Sequence, residues 1–283
     1  MNCSKKLLTL LAIGLGLIAG SGTALAAEKS ADEVAKELAN PTTSLASLNA
    51  SFLYSQFRGD LPNSRDQDSW QFQFQPSFPF PVGNGNNIIV RPLIPVFLDQ
   101  PVFDANKGDF DDKGLELGDI SGDLVLGGTT KTGFLRMGGL SWSLPTATSS
   151  WAGSGQVRLG PEAALGIVRK WGIVGALAFH QWGAGGWRDG AHSVTSAQYF
   201  YAISLGKGWQ IASSPIASYD WNADSDDAWT LPLGIGVAKT TTIGNTHWKF
   251  ALQGFYYVKQ PDTYGEDWGL KFTITPVIKN PFL

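Results

Sequence analysis

Cysteine is nearly absent from this sequence, since Cys3 is the only one in 283 residues. It lies in an apolar N-terminal segment, so the remainder of the chain can form no disulfide and no cysteine metal site. Histidine is almost as scarce, and the chain contains no HExxH, GxSxG, phosphate-loop or dinucleotide-binding motif. The sequence therefore predicts a protein that is not an enzyme and that holds no metal and no cofactor.

Charged residues and long apolar runs are also sparse. Charged residues make up 16% of the chain, and the formal net charge is -3. Because no basic stripe is available to neutralise phosphates, nucleic acid is excluded as a partner. After residue 26, no apolar stretch reaches the roughly 20 residues that a membrane-spanning helix needs.

The first residues have the pattern of an export signal. Two lysines precede an apolar run at 7–19, and Ala24-Leu25-Ala26 offers the small-x-small motif of signal peptidase. We expect residues 1–26 to be a signal peptide that is cleaved near Ala26. The alternative is a retained membrane anchor, but the apolar run is too short for a spanning helix.

Residues 27–44 are expected to form a periplasmic N-terminal segment with a short helix. Residues 31–38 have a helical pattern, which Asn40-Pro41 ends. This segment is interpreted as a periplasmic helix, a partial plug of the lumen, or an incidental surface helix or disordered leader. From residue 45 to residue 283 one period-two texture continues, which indicates a single domain.

Alternation of aromatic and polar residues is densest between Ser69 and Phe80. Every even position from 70 to 80 is aromatic or proline, whereas Gln or Ser occupies the odd positions from 69 to 77. Successive side chains of a strand point to opposite faces, so this segment has one apolar aromatic face and one polar, uncharged face. Such a strand is typical of a membrane β-barrel, with lipid outside and a polar lumen inside.

The connections between strand candidates alternate in length, as an outer-membrane barrel requires. Long polar connections alternate with tight turns, and an even strand count places both termini in the periplasm. The sequence predicts an all-β fold, an antiparallel transmembrane barrel of about twelve strands at 45–57, 69–80, 87–97, 115–127, 131–144, 156–169, 171–183, 192–205, 208–221, 228–239, 247–259 and 267–279.

Aromatic residues fall at both ends of these strands and predict two membrane-interface girdles. The loop-bearing ends carry Trp70, Trp142, Trp221, Trp229 and Trp268. The tight-turn ends carry Phe80, Trp171, Trp209 and Trp248.

Residues of the opposite parity are the candidates for the pore lining, because a Lys or Arg that faces lipid at mid-bilayer costs about 2–4 kcal/mol. In the fifth strand this parity is ambiguous, since Leu135 and Met137 flank Arg136. The charges have mixed signs and predict little net ion preference; the alternative is that they pair and fill a closed interior. The candidates are Arg91, Asp119, Asp123, Arg158, Glu162, Lys249, Gln253 and Lys271.

Several loop and turn motifs carry a family resemblance. They are Ser143-Leu144-Pro145-Thr146-Ala147-Thr148, Gly153-Ser154-Gly155, Gly160-Pro161, Trp221-Asn222-Ala223-Asp224 and Trp229-Thr230-Leu231-Pro232-Leu233-Gly234. Over about residues 85–280 the chain resembles the outer-membrane transporter-like family named after the meta pathway of phenol degradation, relatives of which are also labelled neuromedin U. The resemblance implies a barrel and a role in uptake of small molecules, including aromatic ones, without defined site residues.

The sequence thus predicts a passive outer-membrane channel of a Gram-negative bacterium for small solutes, aromatic or hydrophobic ones among them. Its expected partners are outer-membrane lipid and lipopolysaccharide, the barrel-assembly machinery and a small-molecule solute. A non-conducting structural or surface-interaction barrel is the alternative. A lipid-active hydrolase that depends on His180 or His192 is a third hypothesis, although His192 and Ser193 are adjacent in sequence and point to opposite faces of a regular strand.

Overall fold

A computed structural model describes residues 29–188 and 190–283. The predicted signal peptide lies outside the described residues. The elements are α1 (Ala31–Ala39), β1 (Ala46–Arg58), β2 (Asp68–Gly83), β3 (Asn86–Asp104), β4 (Asp109–Lys113), β5 (Glu116–Leu117), β6 (Ile120–Thr129), β7 (Phe134–Leu144), β8 (Gln156–Arg169), β9 (Gly172–Gly186), β10 (Ser193–Gly206), β11 (Trp209–Ser213), β12 (Ile216–Asp220), β13 (Trp229–Ile243), β14 (Thr246–Lys259) and β15 (Gly265–Ile278), with a single 3-10 turn at Ser64–Asp66.

These strands form one closed antiparallel barrel. Each barrel strand pairs with its neighbour in sequence, and β1 pairs with β15 from Ala46 opposite Ile278 to Arg58 opposite Gly265. β5 and β6 act as two parts of one barrel strand, as do β11 and β12, and β4 pairs only with the outer end of β3. The barrel therefore has twelve strands, and the predicted fold and strand number are confirmed.

Two predicted boundaries were wrong. β3 continues to Asp104 and forms a hairpin with β4, where the sequence analysis placed a polar loop. Phe103 and Phe110 pack together across this hairpin, with ring centroids 5.1 Å apart, which gives its strands an apolar contact beyond the barrel wall. The predicted strand 208–221 is interrupted at Ser214-Pro215, because proline has no backbone N–H to donate to a sheet.

The outward surface of the barrel is apolar. Large hydrophobic side chains alternate along the strands and stay exposed, for example Leu124, Leu126, Leu165, Ile235 and Leu270. These side chains are not covered by other described residues, so the environment of this apolar band is lipid. In the described ranges, no helix has the length and apolarity needed to cross a membrane.

The fifth predicted strand, which is β7, resolves its ambiguous parity in an unexpected way. Leu135 and Met137 point inward and are buried, whereas Arg136 is exposed on the outward face near the Thr129–Phe134 turn. The inward residues belong to an apolar cluster that includes Ile89, Val125 and Ile173. Part of the barrel interior is therefore a packed hydrophobic core rather than a polar lining.

Side chains form hydrogen bonds around the break at Ser214. The Gln198 side chain donates to the Ser214 carbonyl, and the Ser214 amide donates to the Gln253 side chain. On the outer side, Tyr199 and Tyr201 reach across the break to β13, where their hydroxyls donate to the carbonyls of Pro232 and Gly234 at 3.2 and 2.9 Å. Tyrosine hydroxyls thus replace ladder hydrogen bonds that the interrupted strand does not supply.

The double substitution Tyr199→Phe/Tyr201→Phe is expected to lower the free energy of unfolding by about 1–3 kcal/mol per lost hydroxyl, since buried backbone carbonyls lose their donors in a lipid environment. Urea unfolding in lipid vesicles measures the change. Tyr256→Phe is the matched control, because Tyr256 is an exposed outward tyrosine on β14. An equal effect in both variants would show that the Tyr199 and Tyr201 hydroxyls do not seal the break.

Candidate solute pathway

A polar cavity occupies the barrel interior, with a volume of about 270 Å³. Its wall is mostly uncharged: serine, threonine, asparagine and glutamine side chains from five strands surround it. Four of the predicted pore-lining residues reach this cavity, namely Arg91, Lys249, Gln253 and Lys271. The further polar lining comes from Ser47, Asn49, Ser51, Gln75, Ser77, Gln198, Thr273 and Thr275.

The other four predicted pore-lining residues form ion pairs in the barrel wall. In the first group they pair with Arg91: its Nε lies 2.9 Å from Asp123 Oδ1, and one of its terminal guanidinium nitrogens lies 3.6 Å from Glu162. In a second group Arg158 lies 3.7 Å from Asp119. These residues come from β3, β6, β8 and the residue before β6, so the ion pairs lie on one side of the interior, along the wall from β3 to β8.

Asp119 also anchors the long loop that follows β7. Its carboxylate accepts hydrogen bonds at 2.7 Å from both the amide and the hydroxyl of Ser154. Ala152 is buried, and Trp151 packs on Phe97 at 5.4 Å between ring centroids. The role of Asp119 that the structure shows is therefore to hold this loop against the outer end of the barrel, a contact that alternation alone does not reveal.

The N-terminal segment forms the floor of the cavity. Leu38, Ala39 and Pro41 line it, and Asn40 and Thr43 line both this cavity and a second one of about 400 Å³ at the tight-turn end of the barrel. The segment therefore separates the two spaces. A partial plug of the lumen is one of the three sequence-based interpretations of residues 27–44.

Both ends of the segment are tied to opposite sides of the barrel mouth. At one end the Asp32 carboxylate accepts from the amides of Lys207 and Gly208, at 3.0 and 2.5 Å. At the other end Asn40 donates to the Thr129 hydroxyl at 3.0 Å. The first of these contacts lies just before β11 and the second at the end of β6, and these two strands are well separated round the barrel. The segment therefore crosses the opening rather than lying along its rim.

The helix itself is specified locally. Ser30 caps its N-terminus: the Ser30 hydroxyl accepts from the Glu33 amide, and the Glu33 carboxylate accepts from the Ser30 amide at 2.8 Å, which is a capping box. This pairing holds the pKa of the Glu33 carboxyl below its usual range, chiefly through the hydrogen bond from the Ser30 backbone. Val34 and Ala35 are the buried residues of the helix, so its apolar side faces the barrel.

The outer rim is held by contacts between loops. The amide and the hydroxyl of Thr263 both donate to Asp227, at 2.8 and 2.5 Å. These bonds hold the pKa of the Asp227 carboxyl below its usual range, the side-chain bond being the larger cause. The contact is therefore present at neutral pH and is lost only in acid, as the pH falls through the lowered pKa of Asp227.

The histidine chemistry differs from the sequence-based hypothesis. Ser193 contacts His180, not the adjacent His192: its hydroxyl lies 3.3 Å from His180 Nε2, and the Thr195 hydroxyl lies 2.8 Å from Nδ1. Trp221 donates to the same Thr195 hydroxyl at 2.9 Å. His180 lies opposite Thr195 in the strand register, so His180, Ser193 and Thr195 share the outward face near the loop-bearing end.

The predicted interface aromatics lie at the two ends of the outward surface. At the loop-bearing end Tyr54 packs between Trp70 and Trp268, and Tyr219 packs between Trp221 and Trp229. At the other end the Lys239 ammonium lies 5.2 Å from the Trp209 ring, and Trp248 stacks with Phe250. Trp171 is exposed in the β8–β9 turn, while Trp142 and Phe80 are half-buried.

Comparison with known proteins yields matches only at the level of structure. No protein-family model and no curated protein sequence matches the chain. The chain is similar to the COG4313 outer membrane channel from Pseudomonas putida F1, with a TM-score of 0.66 and 12% identity over 85% of this chain and 98% of that chain. The chain shares the barrel fold of this protein. The NanC porin gives a TM-score of 0.53 at 12% identity, over 82% of this chain and 99% of that chain.

Proposed function

We propose that the protein is a passive channel for small solutes in the outer membrane of a Gram-negative bacterium. The observation that carries the proposal is the polar cavity inside a closed barrel with an apolar exterior. A barrel whose only task were structural would gain more stability from filling this space with packed apolar side chains, as it does around Leu135 and Met137. Uncharged polar groups instead offer exchangeable hydrogen bonds to a passing solute.

The two structural neighbours support this proposal, since one is an outer membrane channel and the other a porin. The narrower kinship, with the transporter-like family of the meta pathway of phenol degradation, rests on the loop motifs between Ser143 and Gly234. In this proposal residues 1–26 direct export and are removed, the barrel-assembly machinery inserts residues 45–283, and the outward face contacts lipid and lipopolysaccharide.

Single-channel recording of the refolded mature protein in a planar bilayer tests the proposal. Heat-dependent gel mobility first establishes that the protein is folded. We expect the folded protein to give discrete conductance steps. Folded protein that stays silent, in the full form and in a form that lacks the N-terminal segment, would contradict the channel function and favour a structural barrel.

A second candidate function follows from His180 and Ser193. A neutral His180 that donates from Nδ1 to Thr195 leaves Nε2 free to accept the Ser193 proton, which is the arrangement of a nucleophile with its base. The site faces lipid, so its substrate would be a lipid ester.

Ser193→Ala is expected to abolish ester hydrolysis in mixed micelles, with Ser204→Ala as a control. Hydrolysis that is absent in the wild type or equal in both variants would exclude it.

A further inference from the structure

Two lysines project into the cavity from neighbouring strands. Lys249 on β14 lies opposite Thr275, and Lys271 on β15 lies opposite Gln253. Their backbone positions are therefore four residues apart along the strand direction, or roughly 13 Å at about 3.3 Å per residue. Lys271 is closer to the loop-bearing end and Lys249 to the tight-turn end, so the two ammonium groups follow one another along the pathway.

Neither ammonium has a counter-ion among the residues that the structure describes. The inward carboxylates are engaged elsewhere: Asp123 and Glu162 with Arg91, and Asp119 with Arg158 and Ser154. Glu266, at the outer end of β15, accepts the Ser55 hydroxyl at 2.5 Å. The arginines of the interior therefore have carboxylate partners, whereas the two lysines have none in the part of the chain that the structure describes.

An unpaired ammonium in a protein interior is costly unless water or an anion compensates it. Around Lys249 and Lys271 the cavity wall carries uncharged hydroxyl and amide groups, from Thr273, Thr275 and Gln253. These groups cannot neutralise a cation. The site therefore retains positive charge that only a mobile anion can balance.

Part of the opposite wall of the same cavity is apolar. Leu177 on β9 and Phe200 on β10 line it, and Leu38 lies in its floor. β9 is five strands away from β15 round the barrel, so the apolar side chains face the lysines across the cavity. A solute in this space meets cations and hydrogen-bonding groups on one side and hydrocarbon on the other.

We propose that the cavity recognises small organic carboxylates with an apolar body. The carboxylate contacts Lys271 and then Lys249 as the solute moves inward, while the apolar body lies against Leu177 and Phe200. This proposal rests on the proposed channel function, which it deepens by naming the class of solute. Ion selectivity follows from the position of the unpaired charges rather than from the sum of charges in the barrel.

The first test is the reversal potential in a KCl gradient across a planar bilayer. We expect a chloride-to-potassium permeability ratio of roughly 3 or more in the wild type, falling to about 1 in Lys249→Gln/Lys271→Gln, because the substitution removes two cations of the lumen wall that have no carboxylate partner among the described residues. Lys131→Gln/Lys170→Gln is the matched control: it makes the same change in net charge in exposed tight turns outside the cavity.

The second test measures binding and does not require conduction. Benzoate and its neutral analogue benzyl alcohol are titrated into folded, detergent-solubilised protein, and tryptophan fluorescence is recorded. We expect benzoate to bind about 10-fold more tightly than benzyl alcohol to the wild type and to the control variant, a difference of about 1.4 kcal/mol. The preference should disappear in Lys249→Gln/Lys271→Gln.

The two measurements separate this proposal from the channel function. A conducting wild type without anion preference, or equal changes in both double variants, would overturn carboxylate recognition and leave the channel intact. A silent wild type that still prefers benzoate through the two lysines would overturn the channel and support recognition. Equal binding of benzoate and benzyl alcohol to the wild type would overturn recognition whether or not the barrel conducts.

Discussion

Deletion of residues 29–43 is expected to raise the single-channel conductance at least ~3-fold, since the segment that divides the two cavities is then absent and the narrowest part of the pathway widens. Asn40 and Thr43 line both spaces, so no other described element separates them at this point. Planar-bilayer recording of the deleted and full proteins, side by side, measures the change.

A reversible crosslink tests the same segment without deleting it. The hydroxyls of Thr42 and Thr129 lie 3.1 Å apart, close enough for Thr42→Cys/Thr129→Cys to form a disulfide. We expect the oxidised variant to stay in a low-conductance state and a reductant to restore wild-type openings. Thr42→Cys alone should show no response to reductant. The only native cysteine is Cys3, in the predicted signal peptide, so Cys at position 42 would have no disulfide partner in the mature chain.

The outcomes have clear meanings. Equal conductance of the deleted and full proteins would show that solute passes beside the segment rather than through the space it occupies. Openings that persist in the fully oxidised variant would show that the segment is a fixed part of the wall. Either result would reject the expectation that the N-terminal segment limits conduction, and neither would change the description of the closed barrel.

Strand number and facing were predictable because lipid imposes a strict rule. Outward positions such as Leu165 and Leu270 must be apolar and alternate with inward residues, and no compensation is possible in hydrocarbon. The rule is weaker at the interface, where Arg136 is tolerated on the outward face of β7. It fails inside the barrel, where Leu135 and Met137 are as acceptable as a polar side chain if neighbours pack on them.

The candidate site was less predictable, because pairing depends on distances between strands. Sequence parity predicts Arg91, Glu162 and Lys249 on the inward face, but it cannot show that the first two lie close to one another and the third does not. The same limit applies to Ser193, whose partner His180 lies 13 positions earlier and meets it only through the pairing of β9 with β10.

Removal of the Arg91 side chain is expected to have the largest effect on stability. Arg91→Met leaves two inward carboxylates, Asp123 and Glu162, without their cation in a poorly hydrated wall. Breaking such a buried ion-pair group by deleting one partner costs roughly 3–5 kcal/mol of the free energy of unfolding. Urea unfolding in lipid vesicles, followed by tryptophan fluorescence, measures the loss.

Two further variants distinguish lost charge balance from lost packing. Arg91→Met/Asp123→Asn/Glu162→Gln removes all three charges and is expected to recover most of the lost stability, since the uncompensated carboxylates are gone. Arg136→Met, an exposed arginine on the outward face, serves as the control and should change stability little. If the triple variant were as unstable as Arg91→Met, the packing of the long Arg91 side chain, rather than its charge, would stabilise this wall. Because Arg91 engages Asp123 and Glu162, these carboxylates do not pair with Lys249 and Lys271, and the two lysines stay available to a solute.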